Sequence, residues 1–275
     1  MGGLLTHPQH LAAMQDAWTE RLRSPDEIDY FRATECKGVH GAFFELRKKY
    51  GSGAQAVADK IRADLEAILL SHHWIGFGIG ILIPDYREIR NSVPIARQFY
   101  PKDPTEIAYS GLFFEIARAV QKNAPDYQVA YIIDDSAYSG MIAEALRGLK
   151  INHPEVASAI ATVAPQDDKL TPPLQMADWV ASTVKDIFLQ WLASGKPEHV
   201  PLEKKWLNHI ELIGKWDKEH MLTNMVDTLN DPRYSAGLLA QKPLPQPAKQ
   251  VLKRREKLRR KALVRSAAKA ASSNE

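Results

Sequence analysis

Residues 128–135 read Gln-Val-Ala-Tyr-Ile-Ile-Asp-Asp, a short apolar run that stops in two acids. A run of this length with polar borders reads as a strand. A helical pattern follows over 139–149, and a second strand is expected near 158–163. The loop of Asp167, Asp168 and Lys169 then leads through Pro172 and Pro173 into a helix over 174–192. Working backward, a helix is expected over 104–121, with Ile107, Leu112, Ile116 and Val120 facing inward. Residues 74–83 (WIGFGIGILI) read as a buried strand stopped by Pro84. Strand and helix therefore alternate over 74–192, which predicts an α/β class with a partly parallel sheet. Gly76, Gly78 and Gly80 recur at period two on one face of their strand, so something must pack closely above them. They lie inside the strand and do not form a dinucleotide-binding turn.

Outside this region, 1–6 reads as the end of a strand, and 7–22 as a helix with Leu11, Met14, Trp18 and Leu22 on one face. Ser24-Pro25-Asp26 breaks that helix. Residues 27–34 form a short extended candidate, Gly41 opens another helical stretch, and 54–70 is a helix striped by Val57, Ile61 and Leu65. Beyond 192, Trp206, Leu207, Ile210, Ile213 and Trp216 recur as a helical stripe. This predicts a helical appendage that packs on the α/β body or forms the seam of a homodimer. Lys-Pro-Leu-Pro-Gln-Pro over 242–247 is a stiff linker. The expected organisation is a domain over 1–192, a helical appendage over 193–241, and a linker with a basic tail over 242–275.

The 275 residues are 45% hydrophobic and 25% charged, the balance of a globular chain. No uncharged apolar run approaches the roughly 20 residues that span a bilayer, so no membrane partner is expected. A single cysteine, Cys36, allows neither an internal disulfide nor a zinc cluster, and a cytoplasmic location is expected. The net charge of +3 is uneven: 248–275 holds ten Lys or Arg against two Glu, leaving the body mildly acidic. The basic character belongs to the tail. There Lys253, Arg254, Arg255, Arg259 and Arg260 predict salt-sensitive, sequence-independent contact with nucleic acid.

Three acidic features carry candidate chemistry. Asp134 and Asp135 follow an apolar strand, at the end where α/β sheets gather ligands. One of them is favoured as functional, although either could instead cap the following helix. Asp178 lies among apolar neighbours in 174–181 (LQMADWVA), where an ionised carboxylate is costly without a partner. Gln175 shares its helical face. Glu35, after Tyr30-Phe31-Arg32-Ala33-Thr34, reads alone more readily as a surface carboxylate. His7 and His10 share a face without a third ligand, and His72 and His73 sit at a helix end. With no G-x-S-x-G, phosphate loop or zinc spacing, a serine nucleophile or zinc hydrolysis is poorly supported. Grouped carboxylates stay ionised around a cation, and hard oxygen donors suit Mg²⁺ or Mn²⁺.

Gly2-Gly3-Leu4-Leu5, Trp18, the 30–35 stretch, Ala130-Tyr-Ile-Ile-Asp134-Asp135, Asp168-Lys169 and above all the Leu-Gln-x-Ala-Asp motif ending at Asp178 resemble the DUF3800 family over about residues 1–192. The resemblance implies a ribonuclease H-like mixed sheet flanked by helices, and a metal-dependent nuclease acting on DNA or RNA. It places Asp134 and Asp178 as catalytic acids and Asp134, Asp135, Asp178 and Glu35 as metal ligands, with Gln175 behind them. The family usually opens on a strand bearing Asp-Glu-Ser-Gly or Asp-Asp-Ser-Gly, and this chain begins at what reads as the second strand. Either the start lies upstream, or a strand and its ligand are lost. The second case implies a catalytically degenerate nucleic-acid- or protein-binding module.

Overall fold

The computed structural model describes residues 1–135, 139–194 and 209–230. The basic tail, the linker, Trp206 and Leu207 lie outside the described residues. The described chain is α/β, mostly helical with two small sheets, in the order β1 (Gly2–Leu5), α1 (Pro8–Arg23), α2 (Ala33–Gly38), α3 (Phe44–Tyr50), α4 (Ala54–Leu70), β2 (Ile75–Ile81), α5 (Ile83–Ser92), α6 (Ala96–Phe99) and α7 (Pro104–Asn123). There follow β3 (Val129–Asp134), α8 (Ser139–Asn152), α9 (Pro154–Ala157), β4 (Ile160–Gln166), α10 (Pro172–Ser194), β5 (Ile210–Trp216) and α11 (Lys218–Asn230).

The chain divides into two compact units. The first comprises 1–80 and 105–214, the second 81–104 and 215–275. In the first unit one sheet has the order β1-β2-β5, with β1 and β2 antiparallel and Gly2 opposite Gly78. The other pairs β3 with β4 in parallel, bringing Asp134 opposite Gln166. A parallel pair needs a long crossover, and α8 with α9 supplies it. The main core joins Met14, Trp18 and Leu22 of α1, Ile61, Leu65 and Leu69 of α4, and Met176, Trp179, Val180 and Val184 of α10. A second cluster joins Phe113 and Ala117 of α7 to Ile142, Ala145 and Leu149 of α8, with Tyr131 and Ile133 of β3 against it.

The expected close packing over the strand glycines is present. A Cβ on Gly2 would meet Ala181, one on Gly78 would meet Val184 and one on Gly80 would meet Phe188. These three side chains recur at helical spacing, so α10 lies directly on the bare strand faces of β1 and β2.

In the second unit, Tyr86 Oη donates to the Pro101 carbonyl at 2.5 Å and Tyr100 Oη donates to that of Met221. α11 buries Met221, Leu222, Met225, Val226 and Leu229.

Two expected elements differ. Residues 27–34 form no strand, because their main-chain donors are taken elsewhere: Ile28 N donates to the Leu22 carbonyl at 2.8 Å, Phe31 N to Gln175 and Ala33 N to Asp178. Ile210–Trp216, expected within a helical stripe, is strand β5. Its apolar residues satisfy period two as readily as period 3.6, and Gly214 disfavours a helix.

Cys36 is fully buried in the core, its thiol donating to the Ala58 carbonyl at 3.4 Å. Burial pushes the thiol up to about 11. At about pH 8 only about one thiol in a thousand is then ionised, and the thiolate is the nucleophile. Native protein is therefore expected to resist iodoacetamide at that pH, while denatured protein reacts stoichiometrically; mass spectrometry of both samples checks this. The unfolded chain ionises this thiol first, so its contribution to stability holds below about pH 9 and falls above it.

Candidate functional site: an acidic cluster around Arg32

Asp134 is the last residue of β3, and Asp167 and Asp168 directly follow β4, so the parallel pairing brings these acids to the same end of the sheet. Asp135 extends the ladder, its N–H donating to the Gln166 carbonyl at 2.8 Å. Partial burial holds the Asp134 carboxyl above the usual range, and the charges of Asp168, Asp135 and Asp167 push the same way while Arg32 opposes them. For Asp178 burial is again the largest cause of an upward shift. The Ala33 N–H and Arg32 pull it down, and Asp168 and Glu35 push it up. Asp134 and Asp178 therefore share Asp168 and Arg32 as electrostatic neighbours.

Asp178 also has a structural partner: its Oδ2 accepts from Ala33 N, the first N–H of α2, at 2.7 Å. An acid on one helix thus caps another. Gln175, three residues earlier and 3% exposed, is fully used. Its Oε1 accepts from Trp18 Nε1 at 3.2 Å and Phe31 N at 3.0 Å, and its Nε2 donates to the carbonyls of Asp168 and Lys169 at 3.2 and 3.1 Å. One side chain thereby ties α1, the 28–32 segment and the loop after β4 to α10. Its amide holds the frame, with no donor or acceptor left to aim at a ligand.

Glu35 is buried, contrary to its reading as a surface acid. Its Oε2 accepts from Ala42 N at 2.9 Å and its Oε1 from Tyr30 Oη at 3.3 Å. Gly41, at φ +54°, leaves the space that this carboxylate fills; a Cβ there would lie 2.0 Å from Oε2. Glu35 thus fastens the turn after α2.

Two residues not singled out in the sequence complete the arrangement. Arg32, the residue capping α2, donates through Nε at 3.1 Å and also through Nη2 to Asp168 Oδ2, and its Nη1 lies 3.6 Å from Glu35 Oε1. The signal for Asp168 was available, since it stands after β4 much as Asp134 stands at the end of β3. Arg32 carries none beyond being the cation nearest Glu35 in sequence. Lys169 Nζ sits 5.3 Å from the centre of the Tyr30 ring.

The donors are all hard carboxylate oxygens, which suits Mg²⁺ or Mn²⁺ in kind. Among the described residues no three His, Cys, Asp or Glu side chains already form a group that could hold a metal ion. Arg32 supplies the positive charge. No described helix is long and apolar enough to cross a membrane. Comparison with known proteins gives no matching family model, no matching curated protein and no matching solved structure.

Proposed function

We propose that the chain is a divalent-metal-dependent phosphodiester hydrolase of ribonuclease H-like, DUF3800 type, acting on DNA or RNA in the cytoplasm. The observation that carries this reading is the convergence of Asp134, Asp168 and Asp178, from β3, the loop after β4 and α10, into one electrostatic neighbourhood. Three acids from three elements cost more than they contribute unless a cation is to be held. Asp134, Asp168 and Asp178 would hold Mg²⁺ or Mn²⁺, with exposed Asp135 beside them and Glu35 positioning Arg32 and the turn after α2. Such an ion supplies a Lewis acid for phosphate oxygens and a more acidic water. The basic tail adds affinity for the phosphate backbone that falls with salt.

A second reading, a non-catalytic nucleic-acid- or protein-binding module, is favoured by Arg32, which already compensates Asp168 and Glu35. Incubation with single- and double-stranded DNA and RNA, in Mn²⁺ or in EDTA, separates the two. Cleavage that requires the metal and drops at least a hundredfold in Asp134→Asn and Asp178→Asn is the expected result. Asparagine in place of Asp178 retains a side-chain oxygen for Ala33 N, so the latter variant is expected to stay folded. Binding that is unaffected by either variant, without cleavage, supports the module instead.

A further inference from the structure

Resting on that metal-site reading, we infer that Arg32 is an internal competitor for the metal, an autoinhibitory counter-ion that must leave Asp168 before a divalent cation can be held. The geometry makes the two occupants mutually exclusive at one atom. Nε and Nη2 of Arg32 both donate to Asp168 Oδ2, the oxygen an ion would also have to use. The main chain of Asp168 does not depend on this contact, because the Gln175 amide already holds the Asp168 carbonyl at 3.2 Å. The carboxylate can therefore change partners while its loop stays in place. Arg32 can leave as well: its side chain is 37% exposed, so a rotamer change returns the guanidinium to water.

The charges give the exchange a direction. Arg32 brings one positive charge to Asp134, Asp168, Asp178 and Glu35, which together carry up to four negative ones, whereas a divalent ion brings two. The carboxylates thus favour the ion, and Arg32 reduces its apparent affinity by the work of breaking the Arg32–Asp168 pair. The device keeps the fold stable when the metal is scarce and sets the concentration at which the site loads.

The test is calorimetric titration of Mn²⁺ into the full chain, wild type against Arg32→Gln, with melting temperatures recorded without metal. Arg32→Gln is expected to melt lower than wild type without metal, because the carboxylates lose their counter-charge. It is expected to bind Mn²⁺ at least tenfold more tightly. Equal affinity in the two proteins overturns the competition while leaving the metal-site reading standing. Binding in neither, with native circular dichroism, overturns both. If Arg32→Gln does not fold, Arg32→Lys decides, since it keeps the charge but loses the two-pronged grip on Oδ2. Tighter Mn²⁺ binding by Arg32→Lys than by wild type supports the competition, and no gain overturns it.

Discussion

Replacing Gln175 by leucine is expected to destabilise the protein by about 3–5 kcal/mol in a urea titration, close to half the stability of an ordinary domain. Leucine is similar in size and keeps the helix, so the loss comes from hydrogen bonding. The Trp18 indole N–H and the Phe31 main-chain N–H, both inside the core, would lose their acceptor. Each stranded buried donor costs about 1–3 kcal/mol. The Asp168 and Lys169 carbonyls lose a donor too, but they lie nearer solvent and recover part of the loss from water. Trp18→Phe removes one of the stranded donors, so the double variant Trp18→Phe, Gln175→Leu is expected to lose less than the two single losses combined. A Gln175→Leu protein within about 1 kcal/mol of wild type would show that the amide network does not hold the frame.

This network also explains what was and was not legible in the sequence. Gln175 and Asp178 stand out as polar residues in an apolar helix, and burial makes such residues informative. The sequence shows that they need partners and does not show which. Those partners, Phe31 N and Ala33 N, belong to main chain about 145 residues away. Their capture is the reason 27–34 is not the strand its composition predicts. Arg32 and Asp168 meet across a comparable separation, so no local spacing joins them. Glu35 reads as a surface acid because burial depends on the Gly41 turn folding over it. Elements set by local periodicity fare better: α4 occupies the expected 54–70, and β2 and β3 lie within their apolar runs. Where a short segment satisfies two periods at once, as over 210–216, local pattern cannot choose, and pairing in the sheet decides.

Gly78→Val is expected to cost about 3 kcal/mol or more, because α10 rests on the bare face of β2. The first atom of any side chain at 78 would stand 2.3 Å from Val184 Cγ1 and 3.1 Å from its Cβ. Rotating Val184 removes the first contact and leaves the second, so the helix itself must lift. It cannot do so locally. One turn earlier Ala181 sits over Gly2, which pairs with Gly78 across the sheet, and one turn later Phe188 covers Gly80. Lifting α10 here would also strain the loop from β4 and the four bonds of Gln175, so the damage should spread to the acidic cluster. Gly78→Ala is a milder form, expected to cost about 1–2 kcal/mol, since alanine gains part of the loss back by reducing unfolded-chain entropy. The deciding variant is Gly78→Ala combined with Val184→Ala. If close packing of α10 on the strand is the cause, the second substitution makes room for the first. The pair should then be more stable than the single losses predict by about 1–2 kcal/mol. Strict additivity in equilibrium unfolding would place the cost of Gly78→Ala in the strand backbone and remove this contact as the reason for the glycine.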